Sequence, residues 1–350
     1  MRSDLPVPDL RRIVETVWTG RGGSATALRA LLSPLEVAYR GAVAMRGWMY
    51  DSGLFSAEKF SVAVVSVGNL SVGGTGKTPV AAWLARTLME KGIKASVVLR
   101  GYGGDETLVH QRLNANVPVI VAADRPRGIR EAIAQGADVV ILDDAFQHRR
   151  AARDADVLLV DADSWSGTTR LLPAGPWREP LRSASRASLV IITRKTADKA
   201  TVEAARRAVA AAAPHVPIAI VHLIPGDLWS TSTGQTLPLH ALRGTDLTAI
   251  AAIARPESFF RQLTELGAVV RPHSFPDHHA FTSSEARHLA AQASSSDFIV
   301  CTLKDAVKLE SIWPAEAGSL WYVSQRLKIE DGQPHIDRML DNLLSSAHTS

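Results

Sequence analysis

The chain has 350 residues, 46% of them hydrophobic and 21% charged, the balance of a folded globular protein with room for about two domains. Its formal net charge of +4 is mild, and no Lys/Arg-rich block or RNA-binding aromatic signature accompanies it, which argues against nucleic acid as a partner. A single cysteine, Cys301, excludes an intramolecular disulfide and fits a reducing compartment.

The first residues lack the compact charged and apolar regions of a signal peptide. No stretch approaches the roughly 20 apolar residues of a membrane span. Residues 25–50 place Leu28, Leu31, Leu32, Leu35, Val37, Ala38, Val43, Ala44 and Met45 among Arg29, Arg40 and Arg46, with Trp48 and Tyr50 following. This pattern fits a basic amphipathic helix lying in an anionic membrane interface, arginines at the headgroups. It fits equally a helix packed on the rest of the protein.

Val62–Val67 reads as a buried strand, and Pro79–Leu88 as a helix. Between them lies Ser71-Val72-Gly73-Gly74-Thr75-Gly76-Lys77-Thr78. Strand, glycine loop, Gly-Lys-Thr and helix is the order of a phosphate cradle: glycines let backbone N–H groups approach phosphate, Lys77 adds a charge and Thr78 can hold Mg²⁺. Only Ser71, where the strict pattern has glycine, departs from it.

Further strands are expected at 95–99, 117–121, 138–142 and 156–161, with a helix around 127–135. Pro118 places the start of its strand near a sheet edge. Strands that are apolar throughout and alternate with helices imply a parallel sheet covered on both faces. Residues 166–185, with three prolines in Leu172–Leu181, interrupt the alternation and mark a domain boundary. The alternation resumes with strands at 189–193, 217–222, 248–253 and 297–302 and a helix near 200–213. The expected fold is therefore α/β: an N-terminal amphipathic helical segment (1–60), a P-loop domain with a parallel sheet (61–165) and a second, smaller α/β domain completing a cleft (166–334). A last helix within 335–350 returns to the first domain.

Ligands of open α/β sheets bind beyond the carboxyl ends of strands. Three such ends carry reactive groups: the glycine loop, Asp105-Glu106 and Asp143-Asp144. Val139–Leu142 followed by Asp143-Asp144 has the form of a Walker B strand, whose acid binds Mg²⁺. Asp105 can orient or accept a hydroxyl proton, and so can a histidine of Pro276-Asp277-His278-His279. Arg125, Arg127, Arg178, Arg182 and Arg194 are candidate phosphate partners, Arg178 foremost for its Pro-rich setting.

Together these segments resemble the tetraacyldisaccharide 4′-kinases, from about residue 33 to 325. The motifs are Val67–Pro79 with its Gly68-Asn69, Arg100-Gly101-Tyr102-Gly103, Gly104-Asp105-Glu106, Leu142–Arg149, Leu171-Leu172-Pro173-Ala174-Gly175-Pro176 with Arg178-Glu179-Pro180, and Phe275–His279. Ser71 is normal in that family. The resemblance implies two α/β domains with the active site in the cleft, and a peripheral position on the cytoplasmic face of the bacterial inner membrane through residues 25–50. It implies ATP and Mg²⁺ as cofactors and a lipid-linked disaccharide as substrate, with no obligate protein partner. Ser71–Thr78 would hold the nucleotide, with Lys77 on its phosphates. Thr78, Asp143, Asp144 and Glu106 would serve the metal. Asp105 and His278 would activate the sugar 4′-hydroxyl, and Arg125, Gln147, Arg178 and Glu179 would lie near substrate.

The chain departs from the family in fusing the Gly-Tyr-Gly and Gly-Asp-Glu runs, and in Ala145, Leu303 and Arg255. Two other readings use the same loop. A regulatory GTPase needs an Asn-Lys-x-Asp reader, and Thr302-Leu303-Lys304-Asp305 has the wrong spacing. A non-catalytic nucleotide-binding protein at the membrane has no need of Lys77, Thr78, Asp143 and Asp144 together.

Overall fold

In the computed structural model, residue 14 and residues 17–20, 22–101 and 104–347 are described. Tyr102 and Gly103 of the Arg-Gly-Tyr-Gly run lie outside the described residues, as do the three C-terminal ones.

The first element with described bounds is a long helix, α1 (Gly23–Asp51), and the chain enters the sheet at β1 (Ala63–Asn69). Then come α2 (Lys77–Glu90), β2 (Ala95–Leu99), α3 (Asp105–Leu113), β3 (Val119–Val121), α4 (Arg125–Ala134), β4 (Val139–Asp143) and β5 (Ala155–Asp161). Beyond the Pro-rich stretch follow β6 (Leu189–Arg194), α5 (Lys199–Ala212), β7 (Ile218–Ser230) and β8 (Thr236–Leu237). The remaining elements are β9 (Asp246–Ala251), α6 (Pro256–Glu265), β10 (Val269–Ser274), α7 (Ser283–Gln292), β11 (Phe298–Thr302), α8 (Leu303–Leu309), β12 (Leu320–Asp331) and α9 (Gln333–Ala347).

The strands join one sheet in the order β10-β9-β11-β12-β7-β6-β5-β1-β4-β2-β3, with β8 on β7. Strands β1, β2, β4 and β5 are buried along their whole length, as continuous apolar runs in a covered parallel sheet should be. β3 forms one edge, as Pro118 implies. The two halves are spliced by an antiparallel ribbon, β7 with β12, running from Trp321 opposite Ser230 to Asp331 opposite Ile220.

No break in the sheet falls near residue 166. The core beside the glycine loop takes in Leu189, Ile191, Ala219, Val221 and Leu223 as well as Val65, Val67 and Leu84. A separate core forms around Leu228, Leu247, Val300 and Trp321. The change of core thus falls within β7. Helix α9 sets Ile336, Met339, Leu340 and Leu343 into the first core, against the sheet that holds β1.

Helix α1 is anchored along one side. Buried Glu36 accepts a hydrogen bond from the Leu171 amide at 2.9 Å, and the Tyr39 hydroxyl donates to the Arg178 carbonyl at 3.0 Å. Its other side leaves Leu31, Leu35, Val37, Met45 and Trp48 exposed. The arginines expected at lipid headgroups have partners within the chain. Arg29 donates to the Val17 carbonyl, Arg40 pairs with Glu36 four residues back, and Arg46 donates to the Gln147 carbonyl. Among the described residues no helix is long and apolar enough to cross a membrane.

Candidate active site

The glycine loop runs from the end of β1 into α2, and its shape is set by residues behind it. Gly73 and Gly76 take φ of 120° and 86°, left-handed values that side chains resist. Gly68 lies against Phe146: a Cβ there would sit 2.6 Å from the Phe146 Cβ and 2.7 Å from its amide nitrogen. Buried Asn69 donates to the Thr75 hydroxyl at 3.0 Å, and the Thr193 hydroxyl donates to the Thr75 carbonyl at 2.9 Å. The Leu-Leu-Pro-Ala-Gly-Pro run braces the same loop. The Val72 amide donates to the Pro176 carbonyl at 2.8 Å, and the Arg178 amide to the Leu70 carbonyl at 2.7 Å. The two family-marking segments therefore form one structural unit.

At the start of α2, Lys77 Nζ lies 3.6 Å from Asp144 Oδ1. Burial lowers the Lys77 pKa, and the charges of Asp144 and Asp143 oppose that drop. The Thr78 hydroxyl donates to Asp143 Oδ2 at 3.3 Å, and His110 Nε2 lies 2.9 Å from the same oxygen. Burial works to raise the Asp143 pKa, but the hydrogen bond and charge of His110, the charge of Lys77 and the Thr78 hydroxyl hold it below the ordinary carboxylate value. Asp143 Oδ1 is buried and has no hydrogen-bond partner among the described residues. An oxygen so placed beside a threonine hydroxyl suits a hard divalent cation. Among the described residues no three His, Cys, Asp or Glu side chains form a closed cage. Mg²⁺ needs none, because it keeps waters and phosphate oxygens as ligands. Glu106 stands near with its pKa raised, by burial first and then by the Asp143 charge. Asp144, at φ 52°, faces Lys77 and Arg178, the latter at 3.3 Å.

Asp105 opens α3 behind Gly104, whose φ is 75°. It is buried, and its Oδ2 lies 3.4 Å from His278 Nδ1. β2 and β9 stand far apart in the sheet order, so this meeting brings the two ends of the sheet toward one another. The fused Gly-Tyr-Gly-Gly-Asp-Glu run thus leaves Asp105 within reach of His278. His279 turns away: its Nε2 lies 3.0 Å from Glu285, and its ring stacks on Phe275 at 5.0 Å.

Two of the residues expected at substrate serve the scaffold. Arg125 is buried, and its guanidinium donates to the carbonyls of Ala122 (2.7 Å) and Asp143 (2.9 Å), tying α4 to the end of β4. Glu179 is buried beside Arg186 at 2.8 Å, and Arg186 lies over the Phe146 ring. Gln147 donates to the Asn69 carbonyl at 2.8 Å, with part of its side chain open. Arg178 stays partly exposed beside Asp144. Sequence reasoning missed His110, which looks like an ordinary helical residue until β4 is beside it. It also missed Lys308, whose Nζ lies 3.5 Å from Asp105 Oδ2.

A glycine cradle with Lys77, a Walker-type acid and a carboxylate–histidine pair joining the two halves of the sheet defines a P-loop phosphotransferase. The family model for tetraacyldisaccharide-1-P 4′-kinase matches residues 28–345. The tetraacyldisaccharide 4′-kinase of Anaeromyxobacter sp. (strain Fw109-5) is 36% identical over 364 aligned positions, covering 95% of this chain and 97% of the relative. That of Halorhodospira halophila is 35% identical, covering 89% and 91%. Crystalline LpxK from Aquifex aeolicus, solved in complex with ATP, superposes with a TM-score of 0.72 at 27% identity, over 90% of this chain and 99% of that one. The chain belongs to the tetraacyldisaccharide-1-P 4′-kinase family, the kinases of lipid A biosynthesis.

Proposed function

We propose that the site transfers the γ-phosphoryl group of ATP to the 4′-hydroxyl of a tetraacyldisaccharide 1-phosphate, with Asp105 and His278 as the proton-accepting pair. The observation that carries this reading is the 3.4 Å approach of His278, from one half of the sheet, to a buried Asp105 in the half that holds the glycine loop. Residues 71–78 hold the phosphates, and Lys77 neutralises charge on the transferred group. Thr78 and Asp143 would hold Mg²⁺, with Asp144 and Glu106 around its waters, and the ion would supply charge neutralisation on the phosphates. The acceptor oxygen bonds to the γ-phosphorus as the bond to the bridging oxygen breaks. The electron pair leaves with ADP, and the hydroxyl proton passes to Asp105. An isolated carboxylate is a weak base near neutrality; beside His278 the proton has a second place to go. Gln147 and Arg178 border the substrate.

The exposed apolar side of α1 supports a peripheral position on the inner membrane, which lets the acyl chains of the substrate stay in the bilayer. The test of the pair is steady-state kinetics of Asp105→Ala and His278→Ala. The reading expects kcat to fall about 100-fold or more in Asp105→Ala with the KM for ATP little changed. Near-normal turnover in Asp105→Ala would sink it.

A further inference from the structure

The Asp105–His278 pair has a third member. Lys308, on α8 of the opposite half, points its ammonium at Asp105 and at the backbone carbonyl of His279, the residue after His278. Nζ lies 3.5 Å from Asp105 Oδ2 and donates to the His279 carbonyl at 3.4 Å, with Asp305 Oδ1 at 3.9 Å. Only the contact to the His279 carbonyl is a hydrogen bond; the two carboxylates are charge contacts at longer range. The Asp105 end is the informative one. Asp105 Oδ1 accepts the Glu106 amide at 3.1 Å, whereas buried Oδ2 has no hydrogen-bond partner among the described residues. Oδ2 is therefore the atom left open to receive a proton, and it sits between His278 and Lys308. The His279 end fixes the other partner. His278 adopts φ 59°, a left-handed conformation that a non-glycine residue holds only when its surroundings impose it. The carbonyl of the next residue is the one Lys308 grips.

Its own helix holds Lys308 in place. The Thr302 hydroxyl caps α8 by accepting the Asp305 amide and donates to Asp305 Oδ2 at 2.6 Å; the same oxygen accepts the Ala252 amide at 3.1 Å. Just past the end of α8, Glu310 pairs with Arg112, on the helix that Asp105 opens. The charge of Lys308 thus reaches Asp105 from a braced position.

We infer that Lys308 is a positioning residue of the phosphoryl transfer: it orients the Asp105 carboxylate and the His278 turn toward the acceptor hydroxyl, and takes no part in the proton transfer itself. The inference rests on the reading of Asp105 as the proton acceptor. It predicts that Lys308→Met in the full chain lowers kcat about 10- to 100-fold, the range expected for losing one charged hydrogen-bond partner. The KM and the equilibrium binding constant for ATP should stay within about twofold, showing that the glycine loop and the fold are intact. Lys308→Arg, which keeps the charge, should fall less. A group that acts through Asp105 has nothing left to position once Asp105 is gone, so Lys308→Met should cost less than about threefold in an Asp105→Ala background.

Three outcomes overturn the inference alone: kcat of Lys308→Met within about twofold of the parent while Asp105→Ala is crippled, an equal factor lost in both backgrounds, or Lys308→Arg falling as far as Lys308→Met. Near-normal turnover in Asp105→Ala overturns the base reading and this inference together.

Discussion

At Asp143, one carboxylate oxygen is committed to Thr78 and His110 while the other is buried with no hydrogen-bond partner among the described residues. An unpaired buried oxygen costs free energy unless something binds it. Asp143→Asn keeps the shape and removes the charge, so Mg²⁺-dependent ATP binding should weaken at least about tenfold by calorimetric titration, with binding of Mg²⁺-free ATP affected less. Close approach constrains Gly68 instead. Its alanine variant would force a methyl group onto the Phe146 backbone, and chemical denaturation should record a loss of about 1–3 kcal/mol. His148 supplies a pH dependence. Burial, and then the charges of Arg125, Arg100 and Arg46, push its pKa from 6.5 down to about 4. Between those values the unfolded chain binds the proton and the folded one does not, so stability falls as pH drops through this window, and the loss reaches its full size and levels off below it. The group is half-exposed, so screening trims the effect to about 1–2 kcal/mol, and His148→Gln should flatten denaturation midpoints measured between pH 7 and 4.5.

The same scale shows what a sequence can say about a site. Lys77, Thr78, Asp143 and Asp105 stand at strand ends or inside short motifs, where local spacing already dictates chemistry. His110 and Lys308 lie in the last turns of short, unremarkable helices, and their roles come from contacts with distant parts of the chain. Arg125 and Glu179 show the converse. Their place near the motifs was legible, but burial against backbone carbonyls and Arg186 was not.

Among the elements, the buried parallel strands were the easiest to anticipate, because a strand covered on both faces is apolar at every position. β12 was missed: its outer part, Gln325–Asp331, alternates polar and apolar residues, as an antiparallel ribbon with one wet face does. β10 was missed because it is a mostly exposed edge strand containing Pro272. For α1 the packed reading holds along one side, anchored through Glu36 and Tyr39, while the other side is bare and apolar. Its arginines are engaged within the chain, so the apolar side is what remains for a membrane. Replacing Leu31, Leu35, Met45 and Trp48 together with serine should abolish co-sedimentation with vesicles while leaving the melting temperature nearly unchanged. The parent should sediment with zwitterionic as well as anionic vesicles. Sedimentation of the fourfold variant at the parent's level would refute the assignment.

For the molecule as a whole, the decisive feature is a continuous sheet that changes core within β7 and returns along β12. Composition suggested about two domains, and the Pro-rich stretch at 166–185 suggested where to divide them. That stretch instead braces the glycine loop, a role visible only once Val72 and Pro176 are seen to pair. The splice brings His278 and Lys308 from one half onto Asp105 of the other, so neither half alone holds a complete site. We propose that the site so assembled moves a phosphoryl group onto a lipid-linked sugar. The most direct test of this is incubation of the full chain with γ-labelled ATP, Mg²⁺ and tetraacyldisaccharide 1-phosphate in mixed micelles, with the lipid product separated and the labelled position determined. The account predicts label on the 4′-oxygen of the lipid, lost in Lys77→Ala; ATP binding with no label reaching the lipid, or label at another hydroxyl, would contradict it.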